Sequence, residues 1–238
     1  MSRQIVLDTE TTGLSAVDGD RVIELGCVEL LNRKLTGRNL HLYFNADRDS
    51  HEDALRVHGI TTEFLADKPR FHEKAEEIRA YLEGAELIIH NAPFDMGFLN
   101  KEFERVGMPS LTSMVSGVID SLLMARDIFP GKRNSLDALC DRLEVDNSGR
   151  DLHGALLDAE LLADVYINMT RGQEQLLSSD AHSSGSKSAS AALVKKIDFS
   201  QFDLPVILAS DAELAAHDDV LTQMDKSSGG KTIWRKLA

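Results

Sequence analysis

Residues 3–14, RQIVLDTETTGL, set three apolar side chains, Ile5, Val6 and Leu7, directly ahead of Asp8 and Glu10. A short unbroken apolar run of this kind reads as a strand buried on both faces of a sheet. Side chains alternate along a strand, so if the strand continues to Glu10 the two carboxylates leave it from one face. Like charges held together cost free energy unless something positive lies between them. A lysine, an arginine or a metal ion would serve. Open α/β sheets also place their sites at the carboxyl ends of strands, where these acids fall. A strand dissolving into a polar turn, TETTG, with both acids in water, is the competing reading, and these residues alone do not separate the two.

A chain of 238 residues holds one well-buried α/β domain plus an appendage. It contains no apolar run long enough to cross a membrane and no signal-peptide pattern at its start, so a cytoplasmic protein is expected. Cys27 and Cys140 each sit in an apolar-periodic segment and read as buried, reduced thiols. The net charge of −13 opposes unaided binding to nucleic acid, because phosphate neutralisation dominates that affinity. Any nucleic-acid function must therefore use metal ions, a local basic patch, or a partner that holds the DNA.

Strands are expected over 3–8, 22–30, 40–44, 85–90 and, more weakly, 117–120, with 22–30 and 40–44 as antiparallel neighbours. Helical periodicity follows from residue 51, over 73–82, 94–106, 121–129, 135–143 and 154–169. Early strands followed by alternating strands and helices indicate a mixed sheet flanked by helices. The composition changes at Gly172, with seven serines between 178 and 190 and no hydrophobic period. Residues 172–192 read as a flexible linker, and 193–238 as a tail too short to bury a core alone, with a helix near 211–221 and the single Trp234. A frayed terminus and a segment that folds on a partner are the two readings of that tail.

Two later acids bear on the opening pair. Asp95, in IIHNAPFDMGFL, falls just inside a helix that follows an apolar strand; an acid there also complements the helix dipole. Asp158, in LHGALLDAELLADVY, adjoins the apolar stripe of its helix and is expected to be partly buried. His153 precedes it by five residues, about 140° round a helix, so both serve one site only if His153 lies in the loop before the helix. Four converging acids need cations, and hard divalent ions such as Mg²⁺ or Mn²⁺ prefer oxygen ligands. Two such ions about 4 Å apart suit in-line phosphodiester displacement, with a neutral imidazole to take the proton of the attacking water. Lys132 and Arg133, in PGKRNSLDALC, stand beside a helix N-cap at Asn134 or Ser135 and read equally as a phosphate contact or a solvated turn.

DTETTG, HNAPFD and HGALLDA, in that order, resemble the three exonuclease motifs of the DEDD superfamily in its histidine-containing branch. With VHGI, FPGKRNSLDALC and the tail, the chain as a whole is similar to the proofreading exonuclease subunits of bacterial DNA polymerase III. The resemblance implies a ribonuclease H-like fold over 1–171, a flexible C-terminal tail, and metal-dependent removal of mispaired nucleotides from 3′ ends. It implies that Asp8, Glu10, Asp95 and Asp158 hold two Mg²⁺ or Mn²⁺ ions and that His153 is the general base. It places the terminal nucleotide against Asp8, Glu10, Thr11, Asp53, His58 and Asn91, with Gly59 and Ile60 beside its base. Asp53 stands where the family has glutamate, and Asp151 departs from the family pattern two residues before His153. The resemblance assigns residues 173–177, with Gln173, Leu176 and Leu177, to weak binding of the sliding clamp. It assigns the C-terminal segment to the alpha subunit of the polymerase and leaves room for a small theta-like subunit. A nuclease tethered in this way needs little affinity of its own for DNA. A free-standing DEDD exonuclease on DNA or RNA would lack 172–238, and a catalytically silent structural subunit would lack one of the acids.

Overall fold

The structure, a computed structural model, describes residues 3–150, 152–180 and 209–229, with side chains in the long 155–180 helix described to residue 171. Asp151, Trp234, and most of the expected linker and tail lie outside the described residues.

The sheet is built on β1 (Arg3–Thr11), which pairs antiparallel with β2 (Val22–Leu31) and parallel with β5 (Glu86–Ile89). Beyond β5 lies the parallel β6 (Gly117–Asp120). The outer edge of β2 carries both the two-residue β3 (Lys34–Leu35) and β4 (Leu40–Tyr43), each antiparallel to it. The mixed sheet expected from the sequence is present, and β1 continues past Leu7 through both acids.

Helices cover the two faces. In chain order they are α1 (Glu52–His58), α2 (Thr62–Leu65), α3 (Phe71–Leu82), α4 (Ala92–Arg105), α5 (Leu111–Met114), α6 (Ser121–Ile128), α7 (Leu136–Leu143) and α8 (Ala155–Asp180). Alternation along β1 sorts its side chains between two cores. Ile5 and Leu7 pack with Ile78 of α3 and with Leu99 and Phe103 of α4. Val6 packs on the opposite face with Leu139 of α7 and with Leu162 and Tyr166 of α8. Asp8 and Glu10 share the parity of Val6 and so emerge on the α8 face. Cys27 and Cys140 are both buried and free.

The packing contact that matters most for the site is at Gly26. It pairs with Asp8 across the β1–β2 ladder, and a Cβ on it would lie 2.2 Å from the backbone of Ala155 and Leu156. The first turn of α8 rests directly on the sheet there, which only a glycine permits. At its other end α8 runs on to Asp180, so the first nine residues of the expected linker are helical in backbone. Gln173, Glu174, Gln175, Leu176 and Leu177 are good helix formers and carry the helix past Gly172.

A separate unit of the chain contains α9 (Asp211–Ser228), longer at its C-terminal end than the apolar pattern indicated. It opens on a reciprocal capping box between Ser210 and Glu213 and closes on left-handed Gly229. No helix among the described residues is long and apolar enough to cross a membrane.

Candidate active site

Four elements deliver the site. The C-terminal end of β1 brings Asp8 and Glu10, and the first turn of α8, seated at Gly26, brings Asp158 against them. The first turn of α4 brings Asp95 to the same sheet edge, where the Thr9 hydroxyl donates to Asp95 Oδ1 at 2.6 Å. The loop before α8 brings His153, whose N–H donates to the Val57 carbonyl of α1 at 3.1 Å. His153 therefore lies outside the helix, as sharing one site with Asp158 requires. Ligand atoms of Glu10, His153 and Asp158 all lie within 4.8 Å of one another.

The electrostatics are those of acids crowded together. Burial pushes the Asp8 carboxyl well above its usual range, and the charges of Asp95, Glu10 and Asp158 add to this. Glu10 is pushed up to about 8, by burial first and then by Asp158, Glu24 and Asp95. Asp95 is pushed up to about 7 by burial, against the hydrogen bonds from Thr9. Asp158 behaves differently. Burial raises it too, but the hydrogen bonds and charge of Arg150, with the His153 ring beside the carboxylate, outweigh burial and hold it below the ordinary carboxylate range.

Arg150 is thus the one cation inside the cluster among the described residues. Its guanidinium makes a bidentate pair with Asp158, both contacts at 2.5 Å, and also bonds Asp137. The same group donates to His153 Nδ1 at 2.9 Å, and that nitrogen lies 3.3 Å from Asp158 Oδ2. One guanidinium cannot balance four carboxylates. The donor set is rich in oxygen, net negative and poor in nitrogen and sulfur, which fits hard divalent cations.

Two cavities flank the carboxylates. One, of about 600 Å³, is lined by Thr11, Leu14, Val57, His58 and Phe94 with Glu10 at its floor. The other, of about 540 Å³, runs from Asp8, Asp158 and His153 toward α6 and α7. His58 is the last residue of α1, and left-handed Gly59 caps that helix. The Ile60 N–H donates to His58 Nδ1 at 2.9 Å, so the proton sits on Nε2. That buried N–H has no hydrogen-bond partner among the described residues, a cost of about 1–3 kcal/mol until an acceptor arrives.

The remaining expected contacts are placed unequally. Thr11 is buried and donates to the Gly13 carbonyl at 2.6 Å. Asp53 lines the first cavity but is exposed and paired with Arg56. Asn91 is the left-handed N-cap of α4 and exposed, and it lines neither cavity. Gly59 and Ile60 border a different hollow, with Tyr43 and Phe64. Gln173, Leu176 and Leu177 fall in the helical backbone of α8, where side chains are not described.

The sequence matches the RNase_T exonuclease family over residues 5–166. It is 49% identical over 239 residues to the DNA polymerase III subunit epsilon of Pasteurella multocida, covering 99% of this chain and 94% of that protein. It is 48% identical to the subunit of the same name from Escherichia coli K12, covering 99% and 98%. The chain belongs to the DNA polymerase III epsilon family. Solved structures agree in fold. Escherichia coli exonuclease I in complex with a dT13 oligonucleotide superposes with a TM-score of 0.66 at 17% identity, over 75% of this chain and 43% of that one. Exonuclease X in complex with 5′ overhanging duplex DNA gives 0.56 at 24%, over 72% and 93%.

In this epsilon-family chain three residues outside the expected set shape the site. Arg150 gives no signal in the sequence, since a lone arginine in a polar loop is ordinary. Thr9 faces away from Asp8 on β1 and so meets Asp95. Glu24 is the cross-strand partner of Glu10, buried, with His41 Nε2 2.7 Å from its Oε1 and no hydrogen-bond partner for its Oε2 among the described residues. An acid inside the apolar run VIELGCVEL, next to an internal glycine, was the available signal for both Glu24 and Gly26.

Proposed function

We propose that the chain is the 3′→5′ proofreading exonuclease of the bacterial replicative polymerase, hydrolysing mispaired 3′-terminal nucleotides. The observation that carries this reading is the gathering of the Glu10, His153 and Asp158 ligand atoms within 4.8 Å, with Asp8 and Asp95 close enough for their charges to act on Glu10 and on each other, beside a cavity of nucleotide size that Glu10 lines. Asp8, Glu10, Asp95 and Asp158 would hold two Mg²⁺ or Mn²⁺ ions, which when bound supply Lewis acidity toward the phosphodiester.

The protein's own groups divide the remaining work. Val57, Phe94 and Leu14 wall the cavity that takes the terminal nucleoside, and His58 Nε2 donates to an oxygen of it. Thr11 lines the same cavity. His153 accepts the proton of the attacking water as its oxygen bonds to phosphorus and the bond to the preceding 3′ oxygen breaks. Arg150 occupies the His153 Nδ1 lone pair and both Asp158 oxygens, so it must let go before either residue can act. Weak grip on DNA favours an unpaired end, whose bases need not be unstacked, over a paired one.

Tethering completes the scheme. The segment 193–238 docks on the alpha subunit, and residues 173–177 make a weak clamp contact. Purified protein with Mg²⁺ or Mn²⁺ should release mononucleotides from a mismatched 3′ end, and Asp8→Ala should abolish release while still co-purifying with alpha. A wild-type protein that releases nothing would leave the silent structural subunit as the reading. Residues 1–171 alone should fail to co-purify with alpha.

A further inference from the structure

The second cavity has an unusual wall for so acidic a protein. It extends from Asp8, Asp158 and His153 to Arg126 on α6 and Lys132 on the α6–α7 turn. Many basic side chains of the domain face carboxylates: Arg3 and Arg38 meet Glu29, Arg21 and Arg105 meet Glu102, and Arg70 meets Asp47, while Arg33 and Arg142 bond hydroxyl, amide or carbonyl groups. That is what a net charge of −13 leads one to expect. Arg126, Lys132 and Arg133 differ. All three are exposed, and none has a carboxylate within ion-pair distance or a side-chain hydrogen bond among the described residues.

The turn that presents them is built, not loose. Arg142 lies 4.7 Å over the Phe129 ring and donates to Asn134 Oδ1 at 3.1 Å and to the Arg133 carbonyl at 2.8 Å. Buried Asn134 donates in turn to the Phe129 carbonyl at 3.4 Å. Arg126 and Lys132 line the cleft and Arg133 follows Lys132 on the braced turn; exposed cations without counter-ions at one end of a cleft are matched to a polyanion.

The carboxylates separate the two cavities. A strand with its last nucleoside beside His58 and its last phosphodiester on the carboxylates has the second cavity as its continuation. We propose that Arg126, Lys132 and Arg133 bind the backbone phosphates of the single strand upstream of the terminal nucleotide. The ligand class is single-stranded DNA read without regard to sequence, since contacts to phosphate carry no base information. The inference rests on the exonuclease reading above and adds the track along which the strand lies.

The test compares two substrates in full-length protein. A thymidine dodecanucleotide has upstream phosphates; the p-nitrophenyl ester of thymidine 5′-monophosphate has none. For the triple variant R126Q/K132Q/R133Q, the ratio of kcat/KM on the oligonucleotide to that on the ester should fall roughly tenfold or more. The slope of log KM against log salt for the oligonucleotide should flatten by about 2, at about 0.7 per lost phosphate contact. Losses equal on both substrates, or an unchanged ratio, would overturn the proposal. A wild type that cleaves neither substrate would instead overturn the exonuclease reading beneath it. Should the triple variant melt early, K132Q/R133Q alone carries the same comparison with a proportionally smaller change in slope.

Discussion

Replacing Glu10 by glutamine tests whether the carboxylates repel one another as strongly as their burial indicates. Glu10 is pushed from an ordinary 4.5 to about 8, so it binds its proton more tightly folded than unfolded. Stability from such a group is present in full below pH 4.5 and is lost as pH rises toward 8. The gap corresponds to about 5 kcal/mol at pH 8.5, at about 1.4 kcal/mol per tenfold in proton affinity. Glutamine removes that penalty but leaves a buried amide with no partner, at a cost of about 1–3 kcal/mol. The net gain in metal-free protein at pH 8.5 is therefore about 2–4 kcal/mol, a rise of several degrees in Tm for a chain this size. Thermal unfolding in EDTA at pH 8.5 and pH 5 measures it. At pH 5 the wild-type carboxyl is already protonated and the gain should disappear. A variant less stable than wild type at pH 8.5, or equally stabilised at both pH values, would refute the reasoning. Added Mn²⁺ should reverse the order at pH 8.5, because the wild type then gains a ligand the variant lacks.

Gly26→Ala places a methyl 2.2 Å from the α8 backbone and must push Asp158 off the sheet. We expect kcat to fall about 100-fold and stability by about 1–3 kcal/mol, read by nuclease assay and denaturant titration. Arg150→Ala leaves Asp158 as an uncompensated buried acid, so metal-free protein should lose about 3–5 kcal/mol in an EDTA melt. Calorimetric titration should show Mn²⁺ binding more tightly to that variant, since its competitor for Asp158 is gone; weaker binding would mean that Arg150 supports the metal site. His153→Gln should lower kcat by about 10²–10⁴ in single-turnover cleavage of a mismatched end, with little change in Mn²⁺ affinity by titration.

What could be read from the sequence, and what could not, divides along physical lines. Asp8 and Glu10 were legible because a period of two in a strand fixes their common face, and β1 runs far enough to realise it. Asp158 was legible because an acid beside an apolar stripe must find a partner. His153 was legible in position but not in detail, and His58 was pointed to only by the family resemblance, since its residues alone read as a helix end. The same HG dipeptide that ends α1 also aims a buried N–H at the first cavity, and periodicity does not report on tautomers. The missed elements are short. Two residues of β3 and the single turns of α2 and α5 contain too little pattern to stand out from a loop. The start of α4 was missed by two residues because Asn91 enters it in the left-handed conformation, a local choice made by the β5–α4 turn.

Arg150 lies beyond such rules altogether, and it changes the answer to the question Asp8 and Glu10 raise. Lysine, arginine and metal were the three ways to relieve paired acids, and the fold contains the second, which leaves the third still needed if all four acids are to stay ionised. A single guanidinium, held to Asp158 and His153, relieves one of four carboxylates and leaves the other three with raised proton affinity. The site therefore has two ways to be neutral, by taking up protons or by taking up divalent ions, and ions at Asp158 must displace Arg150. Binding should then release protons from Glu10 and Asp95 and free His153 Nδ1 in one coupled step. On the mechanism proposed above, His153 then becomes available as the base only when cations occupy the carboxylates.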